Sequence, residues 1–299
     1  MKKIVSFLIC TLFSFFVVQG QINFEKQALP ESKGAYELTF QNNQFLFLDY
    51  KKNVFSSSDA VNWVNNPCSI SLIKSIAFGN GLYVGVGSSG APDYKTMIVY
   101  SPDGKNWQPA NGDFKKEFSK VIFANGKFVA VGFGGSINTS ADGINWKAQP
   151  LKDLYLLDKI IYTKGLFIAT GGSSIITSPD GETWTFQDSH LDAVKSIYGL
   201  AYSNDKILAV TFDGMILESG DGVKWVITKV LNNKDGVLNI SYGLGQFILT
   251  GNKGFLMSST DGREWKKMKI NSKESFSRIT FGNNKFVMEG GEGFLYISK

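Results

Sequence analysis

Apolar and polar positions along this chain repeat one short design. An aromatic residue, four turn-forming residues and a second apolar residue recur as Phe40 with Phe45, Phe78 with Tyr83, Phe123 with Phe128, Tyr162 with Phe167, Tyr202 with Ile207, Tyr242 with Phe247, and Phe281 with Phe286. Asn-Gly, Asn-Asn or Asn-Asp stands at the centre of five of these copies, and such dipeptides accept the positive φ of a tight hairpin. Successive copies lie 38, 45, 39, 40, 40 and 39 residues apart. Two further short apolar runs follow each hairpin. In the third unit the pattern predicts strands over 120–123, 128–131, 136–139 and 145–148, with turn residues between all four. Four short strands in about 40 residues is the spacing of a propeller blade, so the chain is expected to be an all-β, seven-bladed β-propeller.

A second motif marks the turn before each fourth strand. Its copies are Ser101, Asp103, Gly104 and Trp107, then Ser140 to Trp146, Ser178 to Trp184, Ser219 to Trp225 and Ser259 to Trp265, with a looser copy from Ser57 to Trp63. All six tryptophans of the chain sit in these copies. Seven hairpins against six tryptophans is explained by the ends of the chain. Phe294 to Lys299 matches 255–260 and stops before an Asp-Gly, while Ile22 to Gln27 aligns with 144–149, Phe24 taking the Trp place. The last blade is therefore expected to be closed by the N-terminal strand, a closure that hides open sheet edges.

The repeated turn resembles the Asp-box of the bacterial neuraminidase repeats, and the wider chain is similar to the propellers of photosystem II assembly factor-like proteins. The resemblance implies a hairpin at the outer rim, with the Asp carboxylate accepting backbone N–H groups, Gly supplying positive φ and Trp packing between blades. Regular repetition on every blade marks these carboxylates and indoles as scaffold, so none is taken as a site. The resemblance also implies that binding occurs on the opposite face and in the central channel.

One position per blade, three residues before the hairpin aromatic, is expected to point to that channel: Glu37, Ser75, Lys120, Lys159, Gly199, Asn239 and Arg278. Three cations against one anion suggest an anion-binding ring; the alternative is that the long cationic stems simply cover neighbouring strands. The one sizeable insertion, 88–96, makes Tyr94 the expected exposed contact, with Asp93 and Lys95 beside it. Asp49 and Tyr50 occupy the equivalent turn of the first unit, and Phe133, Phe212 and Asp213 occupy similar turns. Glu289 and Glu292 flank Gly290-Gly291 as a carboxylate pair or as solvated turn residues.

Composition narrows the function classes. The 299 residues are 43% hydrophobic and 14% aromatic, with 32 Gly and only 7 Pro, which suits an all-β ring. Residues 1–20 read as a signal peptide: Lys2 and Lys3, an apolar run over 4–18, and Gly20 before the cut, leaving 21–299 as a single propeller domain. That run is short for a membrane span, and no later stretch is long enough to be one. The expected location is periplasmic or secreted. Removal of Lys2 and Lys3 takes two from the net charge of +5, too mild a balance for nucleic acid. Cys68 is then the single cysteine, so no internal disulfide forms. His190 is the single histidine, and one histidine with one cysteine makes neither a metal site nor a nucleophile pair; no metal and no cofactor are expected.

The reading that follows is an exported, non-catalytic protein-binding or assembly propeller, monomeric, whose partner is an envelope or secreted protein or a glycan. The alternatives are a polyanion-binding lectin and a glycoside hydrolase. Sialidase is excluded because the resemblance calls for three arginines on the substrate, and only Arg263 and Arg278 are present.

Overall fold

The computed structural model describes residues 22–29, 34–51, 53–68, 70–89, 94–149, 151, 156–231, 235–291 and 293–299. They form seven four-stranded antiparallel sheets, the blades of a propeller. In blades one to six the strands run in chain order from the inner strand to the outer. In blade seven the inner three are Arg278–Gly282, Lys285–Glu289 and Phe294–Ser298, and the outermost is Phe24–Ala28 from the N-terminus. The closing pair is antiparallel, with Phe24 opposite Ser298 and Ala28 opposite Phe294. The expected signal peptide lies outside the described residues.

Local chemistry explains the strand ends. In six of the seven inner hairpins both central residues have positive φ, as in Asn80 (49°) with Gly81 (76°). The turn at Asn204 and Asp205 is the exception. It is closed by the Ser203 N–H on the Lys206 carbonyl at 2.9 Å and by the Ser203 hydroxyl on the Asp205 carboxylate at 2.6 Å, so side-chain bonding replaces positive φ. In the third unit the strands are Phe118–Ala124, Lys127–Gly132, Ile137–Ser140 and Lys147–Ala148. Asn145 was expected to start the fourth but belongs to the turn, because its N–H is bonded to the Asp142 carboxylate at 2.8 Å.

The Asp and Ser contacts of that turn are the same in all six copies; the Trp indole N–H bond is made in five, the buried Trp107 indole having no partner among the described residues. The Asp180 carboxylate accepts the N–H groups of Glu182 and Thr183 at 2.8 Å each, the Ser178 hydroxyl donates to it, and the Trp184 indole N–H donates to the Gly181 carbonyl. The N–H three residues on is the largest cause holding Asp180 and Asp261 down to about 2, the N–H two residues on coming next. Asp59, Asp103, Asp142 and Asp221 are lowered with the same N–H foremost. Folded values below the ordinary 3.8 mean this stabilisation is complete above pH 3.8 and is lost as pH falls toward about 2. An Asp180→Asn variant should therefore melt lower than wild type at neutral pH, and the gap should narrow on acidification through that window. A gap independent of pH would show that the charge is not what the turn uses.

Between blades the core is continuous. Seven clusters of buried side chains fill the seven blade junctions, each drawing on neighbouring blades, such as Val129 and Ile137 of blade three with Ile160 and Phe167 of blade four. The hairpin aromatic of one blade lies on a glycine of the blade before: a Cβ on Gly79 would sit 2.0 Å from the Phe123 ring.

Candidate functional site

The inner strands surround an axial cavity of about 870 Å³. Five of the seven positions singled out above line it: Glu37, Lys120, Lys159, Asn239 and Arg278. Lys159 and Arg278 sit on regularly paired inner strands, whereas the other five blades carry a register shift. In blades one, two, three, five and six the inner strand is irregular immediately before this position, between Ala35 and Glu37, Ile73 and Ser75, Phe118 and Lys120, Ile197 and Gly199, and Val237 and Asn239. A bulge loosens the alternation of faces locally. The residue before the ring position lines the cavity in all seven blades, as Tyr36, Lys74, Ser119, Asp158, Tyr198, Leu238 and Ser277, with or without a bulge. Strict residue alternation places them on the other face, so the repeat alone does not reveal them.

The ring positions also brace neighbouring blades. Glu37 accepts the Ile76 N–H at 3.3 Å and the Ser75 hydroxyl accepts the Val121 N–H at 3.1 Å. Asn239 donates to the Ser277 carbonyl at 3.4 Å, and Arg278 Nε donates to the Tyr36 carbonyl at 2.8 Å. Ser75 is fully buried, and a Cβ on Gly199 would come within 2.9 Å of the Ile240 nitrogen, so neither presents a side chain to the cavity.

Each cation of the collar has an acid of its own. Lys120 reaches past blade two, where the small Ser75 leaves room, to pair with Glu37. Lys74 pairs with Glu117, Lys159 with Asp158 at 3.0 Å, and Arg278 with Glu289 at 3.2 Å, where the Ser277 hydroxyl also bonds the same carboxylate. An anion entering here meets cations that are already neutralised and must displace a carboxylate from one of them. Below this collar the wall carries no charged side chain: Thr39, Ile161, Ala201, Ser241 and Thr280 are followed by Tyr202, Tyr242 and Phe281.

Around the mouth, aromatic rings are left exposed. Tyr50 packs edge-on against Tyr36, ring centroids 4.6 Å apart, and Tyr198 lies 5.2 Å from Phe212. Tyr94 is 67% exposed and Phe133 is also exposed. Asp49, beside Tyr50, is buried; its carboxylate accepts the N–H groups of Lys51 and Asn53 and the Asn53 amide, and so builds its own turn. Asp213 pairs with Lys195 and accepts the Thr211 hydroxyl; burial raises its carboxyl, but these two contacts outweigh it and the net shift is downward. Glu289 is buried beside Arg278 rather than solvated. Asp93 and Glu292 lie outside the described residues. His190 is exposed and contacts Asp188 at 3.1 Å between blades four and five, whereas Cys68 is buried at the junction of blades one and two.

The geometry thus gives a propeller with a charge-matched collar, a neutral shaft and an aromatic mouth. Solved structures with this architecture are numerous. YCF48 bound to D1 peptide is 18% identical over 92% of this chain and 94% of its own, with a TM-score of 0.73. YCF48 from Cyanidioschyzon merolae is 17% identical over 92% and 98%, with a TM-score of 0.71. Virginiamycin B lyase from Staphylococcus aureus is 12% identical over 93% and 99%, with a TM-score of 0.78. At such identities the likeness is one of fold. No protein-family model matches the sequence, and no curated protein matches it.

Proposed function

We propose that the chain is an exported, non-catalytic propeller of the Asp-box type that binds an extended segment of an envelope or secreted protein across the mouth of its axial cavity. The observation that carries this reading is the pairing of exposed Tyr50 with half-buried Tyr36, and of exposed Tyr198 with exposed Phe212, around a collar whose cations are already matched by Glu37, Glu117, Asp158 and Glu289. Rigid aromatic surface with satisfied charges suits side chains and peptide groups better than a free anion. A YCF48 solved with a D1 peptide gives the same fold a peptide ligand and supports the reading.

The test is selection of peptides from a displayed random library on the full chain, followed by two variants. Tyr50→Ala with Tyr198→Ala and Phe212→Ala should weaken the selected peptides by at least about tenfold, since each truncated aromatic anchor typically costs more than ~1 kcal/mol. Lys120→Ala with Lys159→Ala should weaken them little. The glycan reading is favoured by the partial exposure of Lys120, Lys159 and Arg278. Salt-sensitive binding of anionic glycans, lost in the lysine variant and kept in the aromatic one, would replace the peptide reading with it.

A further inference from the structure

The outer strands of the blades protect their open edges in the usual ways, with one exception. Val64–Asn65, Gln108–Pro109, Lys147–Ala148 and Lys266–Lys267 are two residues long, and three of these carry a proline or lysines; Thr185–Gln187 has three. The closing strand Phe24–Ala28 is longer but carries exposed Glu25 and Lys26. Blade five differs. Its outer strand, Val226–Val230, has five residues, three of them Val or Ile and a fourth Thr. Val226 is 56% exposed, Val230 is 54% exposed and Ile227 is exposed between them. The strand is last in its sheet, so among the described residues nothing pairs with its outward edge. It keeps two guards, Lys229 and a bulge at Thr228, but apolar residues remain on both sides of the bulge. Such a strand offers unpaired backbone groups and β-branched side chains to an incoming chain.

The surrounding charge selects the occupant. Lys224 precedes the strand in the turn and Lys229 lies in it. Lys229 contacts Glu264 at 3.7 Å, which ties it to the turn leading into exposed Lys266 and Lys267 of blade six. Arg263 in that turn is taken up by Glu218, while Asp221 and Asp261 stay ionised on the N–H groups of their own turns. Lys224, Lys266 and Lys267 stand against these two carboxylates, so the charge beside the edge is positive by one. A second copy of this chain would bring two such lysine-flanked edges together, and like charges across a pairing strand oppose it. We propose that Val226–Val230 is a docking edge for strand addition, and that its partner is an extended segment of another protein in which apolar residues alternate with Asp or Glu. This surface is at the rim and is separate from the cavity mouth.

The test uses the full chain and an acetylated, amidated peptide alternating Val with Glu, at concentrations up to about 1 mM and low salt. The amides of 226–230 should gain protection from hydrogen exchange. A peptide with Lys in place of Glu, and one N-methylated on the pairing edge, should bind at least about tenfold more weakly. Val226→Glu with Val230→Glu, at exposed positions that leave folding intact, should lose the acidic peptide. Lys224→Glu with Lys267→Glu, which leaves the strand untouched, should weaken it and flatten its salt dependence. Three outcomes would overturn the proposal: no binding of the acidic peptide, binding without protection of 226–230, or concentration-dependent self-association abolished by Val226→Glu with Val230→Glu. The last would assign the edge to a second copy. Loss of mouth binding in the Tyr50, Tyr198 and Phe212 variant leaves this result unchanged, so the two sites are tested apart.

Discussion

A chain begun at Gly34, without the closing strand, is expected to lose its cooperative unfolding transition. The reason lies in what flanks the strand as much as in the strand itself. Phe24–Ala28 supplies the fourth strand of blade seven, and the Lys299 N–H on the Asn23 carbonyl and the Leu29 N–H on the Gly293 carbonyl extend the pairing at both ends. Ile22, before it, is buried in the cluster that holds Ile248, Phe276 and Met288; Leu29, after it, is buried with Phe47, Phe55 and Leu295. One short segment therefore wedges into the junctions on both sides of blade seven. Emptying each wedge is comparable to a buried large-to-small substitution, about 2–5 kcal/mol apiece. The lost ladder adds about 1 kcal/mol per hydrogen bond. The total approaches the whole stability of a typical domain, about 5–15 kcal/mol. A synthetic peptide covering 22–29, added in excess, should restore the transition, because the groove it fills is specific in register, Lys26 opposite Tyr296. A truncated chain that melts as sharply as the full one would show that blade seven stands on three strands and that closure is dispensable.

The fold was legible because its turns are written in residues with few conformational alternatives. Asn- and Gly-centred hairpins, and the Asp turn before each Trp (Asp-Gly in five copies, Asp59-Ala60 in the first), fix the strand count and the direction of the connections without reference to anything distant. The closure was legible for the same reason: a unit that stops after three strands needs a fourth, and Phe24 stands where the other units have Trp. The site was legible only in part. Position within the repeat brought Glu37, Lys120, Lys159, Asn239 and Arg278 to the cavity. Their electrostatic meaning was not in the repeat. Lys120 is neutralised by a residue 83 positions away in sequence, and this contact exists because blade two has a serine between them. Arg278 is matched by Glu289 directly across its own hairpin, a pairing visible only once the register is known.

The residues before the ring positions were hidden for a different reason. Strict alternation puts Tyr36, Tyr198 and Leu238 on the far face, yet they line the cavity wall, as Asp158 and Ser277 do in the blades without a bulge. Asp49 shows the converse. It stood among turn residues that differ from their Gly-rich counterparts and so resembled an exposed contact, but it is buried, and what makes the turn differ is its carboxylate serving as the turn's own hydrogen-bond acceptor.

Trp225→Ala is expected to be the most damaging single substitution among the repeated tryptophans, although the six are alike in sequence. Trp225 is 1% exposed and sits with Ile168 and Ile175 of blade four and Ile207 and Leu217 of blade five. Its indole N–H donates to the Gly222 carbonyl at 2.9 Å, and Gly222 itself lies against Ile168, where a Cβ would come within 2.7 Å. Removing the indole leaves a large cavity at a junction of two sheets, which cannot collapse without shifting a whole blade. The expected cost is about 3–5 kcal/mol. For a chain of this size that lowers the melting midpoint by roughly 10 °C. Trp63 and Trp265, which are only partly buried, keep one side toward solvent, and their alanine variants should cost roughly half as much because less packing is lost. Trp225→Phe separates the two contributions: it keeps most of the packing and gives up the hydrogen bond, at a cost of about 1–2 kcal/mol. Equal losses for the five variants whose indole makes the turn bond, with a smaller loss at Trp107, which makes none, would mean that this bond dominates over packing. The expected order, with Trp225 well ahead, instead follows from depth at the blade junction, which the repeated motif sets in common and the neighbouring isoleucines set apart.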